Sequence, residues 1–306
     1  MPHRLPRLFF VPLRLLVPLT VARELAPPST QNPSKSESKL PLQAERTSAL
    51  DLEISGNLAG LPSGAKRFVR HEDLLTLPQV SFTVTDDPNF SGPTEVQGVE
   101  LDLLARELAA EGEHAFVVAV CRDWYRAHYP QVYREIHKPV LALEINGQLP
   151  SNWPRSKEGT ASPMGPYLIT HAHFTPSFKI LAHEDEAQIP WGVVALEFLN
   201  EKGALAGIAP QGATADAPDV QAGYHIAQQN CFRCHGPSHM GSLKGKLTWE
   251  GIALFASQAP KNFAAYVRNP KSVVPDAEMP PNPQYDEPTL DALTAYFDTF
   301  APTVKK

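Results

Sequence analysis

The sequence predicts two domains, an α+β domain followed by an all-α domain. Between residues 50 and 205, short apolar runs of strand length dominate, with one clear helix among them. From residue 219 to 306 only helical patterns occur. The stretch between these regions is rich in Gly, Ala, Pro and Asp, which predicts a linker at 206–218 that few contacts cross. A chain of 306 residues fits about two domains.

The first 26 residues are typical of a secretory signal peptide. They combine an arginine-bearing start, a short apolar segment and the sequence TVA at 20–22, which suits a signal peptidase. An arginine and two prolines interrupt the apolar run, so a membrane-spanning helix is not expected, although a disordered start and an uncleaved anchor are alternatives. Residues 27–49, rich in Pro, Ser and charge, predict a disordered tether. We therefore expect export to the periplasm.

Five apolar runs predict the strands of the first domain. They are SFTVTD (81–86), HAFVVAV (114–120), KPVLALEING (138–147), GPYLIT (165–170) and WGVVALEFL (191–199). The segment VELDLLARELAAEG (99–112) predicts a helix, because Leu101, Leu104 and Leu108 share one face and Gly112 can end it.

The second domain is predicted to contain helices only. LTWEGIALFASQ (247–258) and PKNFAAYVRNP (260–270) predict two short helices. EPTLDALTAYFDTFA (287–301) predicts a third, with Pro288 in its first turn. Its apolar stripe consists of Leu290, Leu293, Phe297 and Phe300.

The charge balance argues against nucleic-acid binding. The chain has 27 basic and 33 acidic residues, so no basic face is expected.

The segment NCFRCHG (230–236) holds two of the three cysteines of the chain. A disulfide between Cys231 and Cys234 would close a short loop, stabilise little and leave His235 without a role. Zinc would need two further soft ligands at matching spacing, and the remaining cysteine, Cys121, belongs to the other domain. The C-x-x-C-H pattern therefore predicts one haem c, bound covalently through Cys231 and Cys234, with His235 as an iron ligand.

A second axial ligand is expected from a methionine. Met279 lies well downstream in a proline-rich loop, where its thioether would complete His/Met ligation. Met240 is the rival, but it follows His235 by only five residues and would reach the opposite haem face with difficulty. Alternatively, Met279 only fills a gap in the core.

Residues 219–301 resemble a class I cytochrome c domain. The resemblance rests on the order of Gly223, CFRCH, VRNPKSVVPDAEMPP and a final helix containing LTAYF. It implies that the first and last helices of the domain cross where Gly223 packs against Tyr296, and that Pro270 lies beside the haem. One departure is Ala227, which stands where the family usually has an aromatic residue.

Residues 66–199 resemble the sulfite-oxidase-like molybdopterin-binding fold. RFVRHEDLLTLPQVSFTV, VQGVELDLLARELA and HAFVVAVCRDWYRAHYP follow one another in the order of that family. The family binds molybdenum through a cysteine in a loop before the second of these segments, and this chain has none there. Cys121 ends an apolar strand and is predicted to be inert core. The resemblance therefore implies the fold, and molybdopterin is not expected.

Histidines provide another candidate metal site. In H-x-H on a strand, His171 and His173 would share one face, with the carboxylates of HEDE (183–186) nearby. Solvated surface histidines and acidic residues are the alternative interpretation.

Together these patterns predict an exported monohaem c-type cytochrome that carries single electrons. Both axial positions of the iron would be filled, so the chain is expected to be an electron carrier rather than a catalyst. Its first domain would dock a partner or bind a ligand, and its redox partner would be a periplasmic or membrane-bound oxidoreductase. The alternative is an oxidoreductase whose first domain oxidises a small substrate with molybdopterin and passes electrons to the haem. A haem-based redox sensor would require an exchangeable Met279 ligand.

Overall fold

The computed structural model describes residues 40–301, except residues 59, 63, 109–114, 156–162, 178, 185, 241 and 242. These residues belong to one compact unit. Within it, a strand-rich part (residues 40–200) precedes a helical part (residues 201–301). This order confirms the coarse fold class. The predicted signal peptide, and residues 27–39 of the predicted tether, lie outside the described residues.

Eleven strands and three α-helices occur in the described residues of the strand-rich part. The strands are β1 (Leu52–Gly56), β2 (Arg67–Val69), β3 (Val80–Val84), β4 (Thr94–Glu100), β5 (Ala115–Cys121), β6 (Arg126–Tyr129), β7 (Val140–Ile145), β8 (Tyr167–Thr170), β9 (Lys179–Ile180), β10 (His183–Glu184) and β11 (Trp191–Asn200). The helices are α1 (His71–Leu74), α2 (Leu101–Glu107) and α3 (Gln131–His137). All five predicted strands are confirmed.

Nine of these strands form one mixed sheet. Its order is β2-β1-β11-β8-β7-β4-β3, and off this path β5 pairs with both β11 and β6. The pairing of β1 with β11 is parallel, whereas the other neighbours run antiparallel. The long strand β11 therefore holds the sheet together, because it contacts β1, β5 and β8.

The predicted helix at 99–112 is shorter in the structure. Residues 94–100 form β4 instead, because Val96 and Val99 are buried in the sheet and the backbone pairs with both β3 and β7. Helix α2 begins at Leu101 and its apolar face is buried as predicted. The proposed end at Gly112 lies outside the described residues.

Cys121 is part of the core of the strand-rich part. Its side chain is buried among the sheet residues, and burial raises the pKa of its thiol. The prediction that this cysteine is core is confirmed.

The helical part contains α4 (Glu201–Leu205), α5 (Pro218–Gln229), α6 (Trp249–Gln258), α7 (Pro260–Arg268), α8 (Pro270–Val273) and α9 (Glu287–Asp298). Helices α5 and α9 cross at Gly223, where a β-carbon would lie 2.1 Å from the carbonyl oxygen of Ala292 and 2.8 Å from Tyr296 Cβ. The predicted contact of Gly223 with Tyr296 is therefore confirmed. No helix in the described residues is long and apolar enough to cross a membrane.

Two predicted flexible segments pack against the fold. Leu40 is buried and the backbone of Gln43 pairs with Phe68, so residues 40–49 lie on the sheet rather than forming a tether. In the predicted linker, Ile208 is buried in the helical core and its carbonyl accepts a hydrogen bond from the Tyr296 hydroxyl. The composition of these segments predicts flexible chain. They are nevertheless held on the fold, because burial of a single apolar side chain in each of them is favourable.

The prediction that few contacts link the two parts is wrong. Ion pairs, hydrogen bonds and a ring stack join them: Lys244 with Asp123, Arg233 with Glu186, the Ala182 amide with Thr289 Oγ1, His183 with Gln229 and Tyr285, and His128 with Phe232. Residue composition between 200 and 219 describes only the connecting chain. It contains no information about the surfaces that the two parts present to each other.

The histidines of H-x-H do not share a face. Strand β8 ends at Thr170, so His171 and His173 lie in the following loop, where the alternation of a strand no longer applies. His171 is buried with Nε2 3.1 Å from the Tyr133 hydroxyl, whereas His173 is exposed and pairs with Asp86 at 2.9 Å. Among the described residues, no group of three His, Cys, Asp or Glu side chains could hold a metal ion. The interpretation of these residues as a metal site is therefore wrong.

Replacing Gly223 by Ala is expected to lower the free energy of unfolding by about 3 kcal/mol. The added methyl would overlap a backbone carbonyl, which no change of side-chain rotamer can relieve. Thermal unfolding followed by circular dichroism measures the loss. The control is Gly251→Ala on α6, where the nearest atoms belong to side chains at 3.6 Å. Equal stability of the two variants would contradict the close crossing of α5 and α9.

Acid is expected to destabilise the fold through His171. Burial, assisted by the charge of His137 and opposed by Asp86, lowers the pKa of His171 to about 3. The unfolded chain therefore binds the proton first, so stability falls as the pH drops below about 6.5, and the loss levels off near the folded pKa. For this group the loss between pH 7 and pH 5 is about 2 kcal/mol.

Urea denaturation at the two pH values measures this loss. His171→Gln should remove that part of the pH dependence, whereas His173→Gln, at a side chain that is 74% exposed, should keep it. Identical pH dependence in the wild type and in His171→Gln would contradict the role of His171.

Candidate haem site

The C-x-x-C-H segment forms a tight turn directly after α5. Residues Cys231–Arg233 make one turn of 3₁₀ helix, and the carbonyl of Cys231 accepts hydrogen bonds from the amides of Cys234 at 3.2 Å and His235 at 2.9 Å. Both thiols are free and partly buried. The turn therefore keeps the two thiols and the imidazole together without a disulfide.

The orientation of His235 is set by a backbone carbonyl. Its Nδ1 lies 2.7 Å from the carbonyl oxygen of Leu247, and because a carbonyl only accepts, Nδ1 must carry the proton. The neutral ring then has an unprotonated Nε2, which is the form that binds a metal. Burial lowers the pKa of His235, and this favours the neutral ring.

Gly245 allows the chain to pass close to this imidazole. A β-carbon at that position would lie 2.3 Å from Nδ1 and Cε1 of His235, and the Gly245 amide donates to the Cys234 carbonyl at 2.7 Å. Residues 245–247 therefore enclose the ring on the side of Nδ1. The sequence did not indicate this role of Gly245, because its contact partner lies ten residues earlier in the chain.

The residues present fit a haem c. Two free thiols lie beside an imidazole whose tautomer leaves a ligating nitrogen, which is the donor set that covalent haem attachment needs. A zinc site does not fit, because no group of three or more His, Cys, Asp or Glu side chains within the described part of the chain is arranged to hold a metal ion.

The two candidate methionines lie in different settings. Met240 packs on the helical core, and its Sδ lies against Gly236, the residue after His235. Met279 is partly buried in the loop between α8 and α9, where two prolines follow it. Pro270, which the resemblance places beside the haem, is the buried first residue of α8.

The two residues between the cysteines contact the strand-rich part. The Phe232 ring is buried and stacks on His128 of β6, with ring centroids 4.4 Å apart and planes 10° apart. His128 also stacks on Phe116, so its ring lies between two phenylalanines. Neither ring nitrogen of His128 has a hydrogen-bond partner in the described residues. Burial, with the charges of Arg126 and Arg233, lowers the pKa of His128 and keeps it neutral.

Arg233 brings a charge into the same contact. Its side chain is only 12% exposed, and its Nη1 lies 3.2 Å from Oε2 of Glu186. The Tyr125 hydroxyl is a further hydrogen-bond partner. Burial alone lowers the pKa of Arg233, but Tyr125 and Glu186 raise it, so the guanidinium keeps its charge.

Sequence reasoning missed these contacts, because the two variable positions of C-x-x-C-H carry no fixed chemistry. A signal was nevertheless present. An arginine inside a motif that must pack against a cofactor needs a carboxylate partner, and HEDE (183–186) is the acidic run that supplies it.

Comparison with known proteins supports the assignment of the helical part. Residues 218–297 match the family described as cytochrome C oxidase, cbb3-type, subunit III. These residues therefore contain a cytochrome c domain, which implies haem c as cofactor, electron transport and a redox partner. The match covers about a quarter of the chain and leaves the strand-rich part unassigned.

The remaining comparisons add little to this assignment. No curated protein matches the chain. The crystal structure of the sulfane dehydrogenase SoxCD from Paracoccus pantotrophus is similar with 16% identity and a TM-score of 0.34, over 52% of this chain and 40% of that chain. This chain thus spans less than half of that one, and a likeness at this score is too weak to establish a shared fold. The chain combines a cytochrome c domain with a strand-rich part.

Proposed function

We propose that the chain is an exported monohaem c-type cytochrome that carries single electrons between protein partners. One observation carries the proposal: two free thiols share a turn with His235, whose Nδ1 is held by the Leu247 carbonyl. Cys231 and Cys234 would hold the haem as thioethers, and His235 and Met279 would be its axial ligands. When bound, the haem supplies reversible exchange of one electron at its iron.

The residues of the chain prepare the site for this role. The turn after α5 presents the thiols, and the Leu247 carbonyl fixes the tautomer of His235. With Met279 as a second ligand beside His235, the iron would have no free position, so the site would favour electron transfer over chemistry on a small substrate. We place the protein in the periplasm, with a periplasmic or membrane-bound oxidoreductase as its partner.

The alternative function, an oxidoreductase with molybdopterin in the strand-rich part, requires a ligand for molybdenum. The cysteine of that part, Cys121, is buried in the core with its thiol pKa raised by burial. Metal analysis of the purified protein separates the two functions, because an electron carrier holds iron alone and the oxidoreductase holds iron and molybdenum.

Covalent haem is expected to depend on the two cysteines of the motif. Replacement of Cys231 and Cys234 by Ala should abolish the haem that stays with the chain in a denaturing gel, because no thioether can form. Cys121→Ala is the matched control and should retain haem at the wild-type level. A wild-type chain without covalent haem, after export with a haem-attachment system, would disprove the proposal.

Met279 is expected to be the sixth ligand of the iron. Met279→Ala should abolish the weak far-red absorption of a sulfur–iron bond in the oxidised protein and lower the reduction potential. Met240→Ala, at the methionine that packs against Gly236, should keep that absorption. Loss of the absorption in Met240→Ala, with an unchanged Met279→Ala spectrum, would assign the ligand to Met240.

A further inference from the structure

The haem-attachment turn carries a buried positive charge whose carboxylate partner belongs to the strand-rich part. Arg233 lies between the two cysteines and two residues before His235. Its Nη1 contacts Oε2 of Glu186 at 3.2 Å, across 47 residues of chain. The charge therefore lies between the two cysteines that would hold the haem. The carboxylate that neutralises it comes from a segment that only the tertiary structure brings close.

The two members of this ion pair are buried to different extents. The Arg233 side chain is 12% exposed, whereas that of Glu186 is 41% exposed. Water and salt therefore screen the carboxylate more than the guanidinium. In addition, Nε of Arg233 has no hydrogen-bond partner in the described residues.

Neighbouring contacts hold the pair in place. The Phe232 ring, one residue before Arg233, is stacked on His128 of the sheet. On the other side of the pair, His183 lies three residues before Glu186. It contacts Gln229 of α5 at 2.8 Å and the Tyr285 hydroxyl at 3.3 Å. Arg233 and Glu186 therefore face each other across a contact that neighbouring residues hold together.

A fixed charge near an iron that changes by one unit of charge alters its reduction potential. A nearby cation stabilises the ferrous state relative to the ferric state and raises the potential, and a nearby anion does the opposite. The effect is strongest where the charge is withdrawn from water.

We propose that Arg233 and Glu186 form a shared ion pair that sets the reduction potential of the haem, so that the strand-rich part is a tuning element of the electron carrier. This inference rests on the proposed function, because it requires a haem at Cys231 and Cys234. Arg233 and Glu186 act as positioning residues, since they influence the iron through its electrostatic environment without binding it.

Redox titration of the full-length haem protein tests the proposal. Glu186→Gln should raise the midpoint potential, because the cation loses its partner. Arg233→Gln should lower it by a larger amount, because the more deeply buried charge is removed. The double variant should lie between the two single variants, and Arg233→Lys, which keeps the positive charge, should stay closer to the wild type than Arg233→Gln.

The matched control is Glu72→Gln. Glu72 on α1 pairs with Arg70, the residue before that helix, at 3.2 Å, and its side chain is 72% exposed, so the same loss of charge should leave the potential unchanged. The far-red absorption of each variant should persist, which shows that the axial ligands are intact. If Arg233→Gln fails to mature, the rise expected for Glu186→Gln still tests the proposal.

The outcomes separate this inference from the proposed function. A haem-bearing protein whose potential is the same in the wild type, Glu186→Gln and Arg233→Gln would overturn the inference alone. Shifts of the same sign in Glu186→Gln and Arg233→Gln would also overturn it, because opposite charges must act in opposite directions. A wild-type chain without covalent haem would overturn the proposed function, and the inference with it.

Discussion

The close crossing of α5 and α9 at Gly223 positions the rest of the site. At this point the two backbones approach so closely that a β-carbon would overlap the Ala292 carbonyl. Helix α5 ends at Gln229, and the turn with the two cysteines begins only two residues later. The crossing therefore determines where the cysteines and His235 emerge from the helical core. The Tyr296 hydroxyl extends the same junction, because it donates to the carbonyl of Ile208 and accepts from Trp249 Nε1.

The contact between the two parts involves opposing contributions to stability. Stacking of Phe232 on His128 removes aromatic surface from water. His128 nevertheless leaves both ring nitrogens without partners in the described residues, and each buried unsatisfied group costs about 1–3 kcal/mol. Arg233 adds a buried charge that requires Glu186. Apolar residues of similar volume often stabilise a buried contact as well as an ion pair does, so adhesion alone does not explain these polar groups.

This contact means that the strand-rich part and the helical part are not independent of each other. A flexible linker would let the strand-rich part act as an independent docking module. Instead, Ile208 is buried in the helical core, and the side chains of Phe232 and Arg233 reach the strand-rich part. Both variable positions of the haem motif are thereby used for contacts inside the protein. The strand-rich part is thus a structural neighbour of the turn that holds Cys231, Cys234 and His235.

The sequence by itself determined the local features of this protein. Spacing alone indicated Cys231, Cys234 and His235, and apolar periodicity indicated α9 and five strands, because these signals depend on neighbours a few residues apart. Gly223 and Tyr296 followed from the resemblance to cytochrome c. Only the tertiary structure decided which side chains meet over long separations: Phe232 with His128, Arg233 with Glu186, and Gly245 with the His235 ring. It also placed His171 and His173 in different environments, because β8 ends at Thr170, before the first histidine of the H-x-H pattern. Such contacts depend on how separate surfaces fit together, and one linear pattern does not encode that fit.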